Sequence, residues 1–133
     1  MIKKLLIKDI YTLDGELKGI SDQSTGKVFI NGLLQQKLPI VIKYWLTDLS
    51  KKTGEVRTTI DGLRNDLIQK YGVSDDDRKT YKIPTENMED FQKEFQLLFS
   101  EEKEIDIHNF KLDEFTSMET TDNYEIFYTL LTV

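Results

Sequence analysis

From Ile42 to Leu67 apolar side chains recur at Ile42, Leu46, Leu49, Val56, Ile60, Leu63 and Leu67, in steps of four and three broken only by Thr53. A period near 3.5 held for this long predicts one long helix whose narrow apolar stripe meets another helix. Pro39 lacks a donor N–H and suits the opening of that helix, while Gly72 suits a left-handed cap at its end. The span from Pro39 to Tyr71 would be about 50 Å long at 1.5 Å per residue. Gly54 and Gly62 each weaken a helix by about 1 kcal/mol relative to Ala, so the competing arrangement is a turn near Lys52 to Glu55. The register runs from Leu49 through Thr53 to Val56 without a slip, which favours a continuous helix.

The flanking patterns are shorter. Lys3 to Tyr11 is rich in β-compatible residues, and Asp14-Gly15 lies between Leu13 and Leu17, so a small hairpin over residues 3–20 is expected. Ser21 to Gly26 reads as a polar loop. Val28, Ile30, Leu33, Leu34 and Leu38 predict a short helix that Pro39 ends. Beyond Gly72, Val73 to Thr80 is polar, and Tyr81 to Ile83 is a candidate strand. Thr85 is a suitable N-cap for a helix in which Met88, Phe91, Phe95 and Leu98 share a face. Glu104 to Ile107 alternates charge and apolar side chains, predicting a second short strand beside Tyr81 to Ile83. Phe110, Leu112 and Phe115 would dock an extended arm, and Thr121 or Asp122 would cap a last helix carrying Tyr124, Phe127, Tyr128 and Leu131.

The expected fold class is therefore α+β and mainly helical. One long heptad-patterned helix packs with shorter helices, beside an N-terminal β-hairpin and a short two-stranded element. Its segments are the hairpin and loop (1–26), the helical part (27–72) and an α/β part (73–133). A chain of 133 residues, 38% apolar, fits one domain. About six stripe side chains at roughly 1.5 to 3 kcal/mol each are large beside a net stability of about 5 to 15 kcal/mol, so they must be covered. The short helices expected at 28–38 and 86–99 are too short for this, which predicts a second copy of the chain, a dimer being favoured. The self-association or partner surface is then Ile42, Trp45, Leu46, Leu49, Val56, Ile60, Leu63 and Leu67, with Tyr44 and Trp45 either part of the core or an aromatic anchor.

Charge alters this picture in one respect. The net charge of -6 divides into +4 over residues 1–74 and -10 over residues 75–133. The acidic half contains Glu101, Glu102, Glu104 and Asp106, a candidate face for a basic partner or a mimic of nucleic-acid phosphates. The acidic balance opposes direct nucleic-acid binding, because Lys3, Lys4, Lys8, Lys51, Lys52, Arg57 and Arg64 are interleaved with acids. No membrane association is expected, since no apolar run approaches about 18 residues and Lys8 and Asp9 interrupt the first one.

Candidate chemistry is sparse. There is no cysteine and His108 is the single histidine, so thiolate sites and histidine pairs are excluded. The glycines show no phosphate-loop or dinucleotide spacing. Asp75-Asp76-Asp77 offers hard oxygen ligands but lacks the alternation and central glycine of a calcium loop, and reads as an acidic linker. No catalytic residue, metal ligand or cofactor is assigned, and the chain is expected not to be an enzyme.

The order Gln36-Lys37-Leu38-Pro39-Ile40-Val41-Ile42-Lys43-Tyr44, Leu67-Ile68-Gln69-Lys70-Tyr71-Gly72, Tyr81-Lys82-Ile83-Pro84, the helix from Met88 to Phe99, and Glu104-Ile105-Asp106-Ile107 resembles a family of small uncharacterised proteins of tailed phages and prophages. The resemblance covers about residues 28–131 and implies a genetic setting, with no residue role attached. With that setting, the stripe and the sparse chemistry lead to the expectation of a phage-encoded, oligomeric protein-binding module that inhibits or redirects a host defence or nucleic-acid-handling protein in the host cytoplasm. The alternative is a virion morphogenesis or tail-associated protein located in the virion. A third reading is an oligomer that sequesters a small nucleotide signal.

Overall fold

The apolar stripe lies on one uninterrupted helix. In a computed structural model describing residues 1–22, 24–75, 80–115 and 124–132, the chain runs β1 (Ile2–Leu6), α1 (Ile7–Lys18), β2 (Gly19–Ser21), β3 (Val28–Asn31), α2 (Ile40–Tyr71), β4 (Val73–Asp75), β5 (Thr80–Lys82), α3 (Thr85–Phe99), β6 (Glu102–Asp106) and α4 (Glu125–Thr129). Short 3-10 turns occupy Leu33–Gln35 and Leu112–Phe115. The fold is α+β and mainly helical, as the patterning predicts. Among the described residues no helix is long and apolar enough to cross a membrane.

α2 has 32 residues and begins directly after Pro39, whose side chain fixes the entry into the first turn. It passes through Gly54 and Gly62 without a break. Its end departs from expectation: Gly72 has φ -91° and ψ 159°, an extended conformation, because β4 begins at the next residue. A left-handed cap would turn the chain away from that strand.

The largest correction concerns residues 3–20. They form no hairpin. β1 pairs antiparallel with the distant β6, Ile2 facing Asp106 and Leu6 facing Glu102, and Asp14-Gly15 lies inside α1. A turn signal inside a helix is overruled here because Ile10, Leu13 and Leu17 are fully buried at helical spacing and the Asp14 carboxylate finds partners on α2. The helix expected over 28–38 is instead β3, paired with β2, followed by the 3-10 turn. β5 pairs with β4 rather than with the Glu104 segment, so the acidic strand completes the β1 sheet. The proposed caps Thr121 and Asp122, and Asp76 and Asp77 of the aspartate run, lie outside the described residues.

α1 lies against the middle of α2, where Asp14 meets Thr53 and Arg57 and Tyr11 meets Asp61, and the stripe joins Ile10, Leu13 and Leu17 of α1 in one buried core. Ile42, Leu46, Leu49, Thr53, Val56 and Ile60 are all buried within the single chain. The expectation that a second copy covers this part of the stripe is thus corrected, since the core of the single chain covers it, with α1 where a hairpin is expected. Phe110, Phe115, Tyr124 and Phe127 close the core at the N-terminal end of α2, with the three phenylalanine ring centroids 5.1 to 6.0 Å apart.

Candidate functional site

Thr53, the polar member of the stripe, donates a hydrogen bond to Asp14 Oδ1 at 2.9 Å. Lys18, one turn after Asp14, reaches the same oxygen at 2.7 Å, and Arg57 approaches Oδ2 at 3.3 Å. The Asp14 side chain is 2% exposed, whereas its cationic partners remain partly in water. The buried carboxylate is therefore compensated, and the α1–α2 register is tied to one arrangement. Arg57 also lies 4.5 Å over the Tyr11 ring. Glu16, one helical step along, accepts the Ile126 and Phe127 N–H groups at 3.1 and 2.9 Å, holding the start of α4. Burial raises the Glu16 pKa above its ordinary value, and these two N–H groups partly offset the rise.

With its first part sealed in this way, the stripe leaves the core only near its end. Ile60 is 2% exposed, but Leu63 is 42% exposed, and residues 61–66 of α2 are all exposed. At this exit lies a groove of about 390 Å³ between α2 and β6. Ile7, Val56, Ile60, Leu63, Leu98 and Ile105 supply its apolar lining. Lys52, Glu55, Thr59, Lys103, Glu104 and Asp106 form its polar boundary.

The sequence-predicted residues thus separate into groups. Val56, Ile60 and Leu63 of the stripe meet Glu104 and Asp106 of the acidic strand in one groove. Ile42, Leu46 and Leu49 are core residues, and Leu67 is half-buried. Trp45 stacks on His108, rings 4.4 Å apart and tilted by 3°, so both serve packing, while Tyr44 projects into solvent. Glu102 pairs with Lys4 at 3.1 Å, and Glu101 is exposed at the start of the strand. Sequence reasoning missed the contributions of Ile7, Leu98 and Lys52, because which strand lies beside α2 is not visible locally.

Electrostatically the groove is closed at one end and open at the other. Lys52 bridges its neighbour Asp48 at 3.1 Å and the Asp106 carbonyl oxygen at 2.7 Å. The Asp106 carboxylate accepts from the Met1 amine at 3.0 Å, which holds its pKa below the ordinary value. Glu104 is exposed and has no ion pair within 4.0 Å among the described residues. Among the described residues no three His, Asp or Glu side chains are grouped to hold a metal ion. No family model, curated protein or solved structure matches the chain.

Proposed function

We propose that this chain is a phage-encoded, non-enzymatic protein-binding module that docks a host defence or nucleic-acid-handling protein on the α2–β6 groove. The observation that carries the reading is the convergence of Leu63, left open at the end of an otherwise sealed stripe, with the acidic residues Glu104 and Asp106. An apolar floor with a charged boundary is the anatomy of a docking site, where desolvation supplies affinity and the charges select the partner. The buried first part of the stripe takes no part in docking.

The test is affinity capture from infected cells with the natural chain, Leu63→Asp and Glu104→Lys, together with mass spectrometry of purified virions. One host protein should be recovered with the natural chain and depleted about tenfold or more by either substitution, equivalent to about 1.4 kcal/mol. Recovery that ignores both substitutions refutes docking at this groove. Stoichiometric presence in virions would instead support the morphogenesis reading.

A further inference from the structure

The β1–β6 ladder determines which backbone groups face the groove. At one end the Ile107 N–H donates to the Met1 carbonyl at 2.8 Å and the Met1 amine to the Ile107 carbonyl at 3.1 Å. At the other, the Ile7 N–H donates to the Glu101 carbonyl at 2.8 Å. Antiparallel ladders alternate, so Lys103 and Ile105 also turn their backbone groups toward β1. The N–H and C=O groups of Glu102, Glu104 and Asp106 consequently point to the opposite edge. Lys52 marks where that edge lies, since its ammonium group reaches across from α2 to the Asp106 carbonyl at 2.7 Å. The sheet contains β1 and β6 alone among the described residues, and Lys103 to Asp106 all line the groove.

We infer that the groove binds its partner by strand addition: an extended segment with Lys or Arg at alternate positions pairs with the free edge of β6. This deepens the docking reading above and rests on it. The Asp106 carbonyl is already held by Lys52, so the open positions are Glu102 and Glu104, and each partner residue hydrogen-bonded opposite them puts its side chain on the same sheet face as those acids. The intervening partner residues point to the face of Ile105, where Val56, Ile60 and Leu63 supply apolar surface. Alternation of basic and apolar residues therefore fits the edge and the floor together.

A second copy of this chain does not fit. Antiparallel self-pairing of β6 about Glu104 would set Glu104 against Glu104 and Glu102 against Asp106. Each directly opposed like-charge pair is unfavourable, and charge on an edge strand is an established means of blocking self-pairing. The attraction for a basic strand centres on Glu104, because Glu102 already faces Lys4 and Asp106 the Met1 amine.

The experiment uses the full chain and a fluorescent, end-capped nonapeptide alternating lysine and valine. Fluorescence anisotropy compares it with the same peptide N-methylated at the lysines and with a version in which glutamate replaces lysine. Amide hydrogen exchange follows the protein. The unmethylated basic peptide should bind at least about tenfold more tightly than either alternative, with Glu104→Lys costing about as much. It should also slow exchange at the Glu104 amide. Equal binding of the N-methylated peptide, or an unprotected Glu104 amide, overturns strand addition while leaving groove docking intact. Docking itself falls only if Leu63→Asp and Glu104→Lys both leave host-protein capture unchanged.

Discussion

Leu49 and Leu63 are the same residue type on the same face of one helix, two heptads apart, yet the structure assigns them different energies. Leu49 is 2% exposed in the core, while Leu63 is 42% exposed at the groove. Truncating Leu49 to Ala removes buried methyl groups and leaves a cavity in a tied helix pair, a loss of about 3 to 4 kcal/mol. Leu63 has a little over half of its surface covered and opens to water when truncated. Burying a whole leucine contributes about 1.5 to 3 kcal/mol, so Leu63→Ala should cost about 1 kcal/mol and leave no enclosed void. Urea unfolding followed by circular dichroism at several protein concentrations measures both. For a chain of this size the melting temperature should fall by about 12 °C or more for Leu49→Ala and about 4 °C for Leu63→Ala. Neither value should depend on protein concentration. Equal losses at the two positions, or midpoints that rise with concentration, would mean that a second copy covers the whole stripe and that the internal α1–α2 packing is wrong.

Three further outcomes are expected. Gly62→Ala should raise stability by about 1 kcal/mol, because a Cβ there meets nothing within 4 Å in the middle of an exposed helix; a loss in thermal melting would contradict the continuous helix. Tyr124→Phe should cost about 1 to 2 kcal/mol in urea titration, since its hydroxyl donates to the Asn31 carbonyl at 2.7 Å and accepts from Gln36 at 3.0 Å; an unchanged midpoint would remove that bridge. Glu16 has a folded pKa raised by burial, so its contribution favours folding fully at pH below the unfolded value and is lost as pH rises through the folded one. The stability of the natural chain relative to Glu16→Gln should therefore be greater near pH 4 than near pH 7, with the reverse trend in pH-dependent unfolding counting against a buried Glu16.

The elements legible in the sequence are those whose signals are local. Pro39 and the unbroken 4-3 register placed α2 within a residue of its observed start, and the spacing of Met88, Phe91, Phe95 and Leu98 placed α3. Part of the groove is legible too, since Val56, Ile60, Leu63, Glu104 and Asp106 are candidate partner residues in the sequence, though on two separate surfaces. At residues 7–18 the turn preference of a dipeptide competes with the helical spacing of Ile10, Leu13 and Leu17, and the spacing prevails. The preference yielded because Asp14 is answered from α2, by Thr53 and Arg57, and no local window contains those partners.

By itself the sequence determined the long helix, its apolar stripe and the acidic strand, because helix period, proline geometry and charge depend on neighbouring residues. Only the tertiary structure decided what covers the stripe and where it emerges. Those outcomes turn on contacts between Asp14 and Thr53, 39 residues apart, and on a strand pair joining Ile2 to Asp106. Burial of α1 and the C-terminal aromatic residues against α2 sealed the first part of the stripe, and pairing of β1 with β6 carried the acids to its open end. Long-range burial and strand pairing are properties of the whole chain, which is why a stripe that predicted a dimer became a core with one exposed edge.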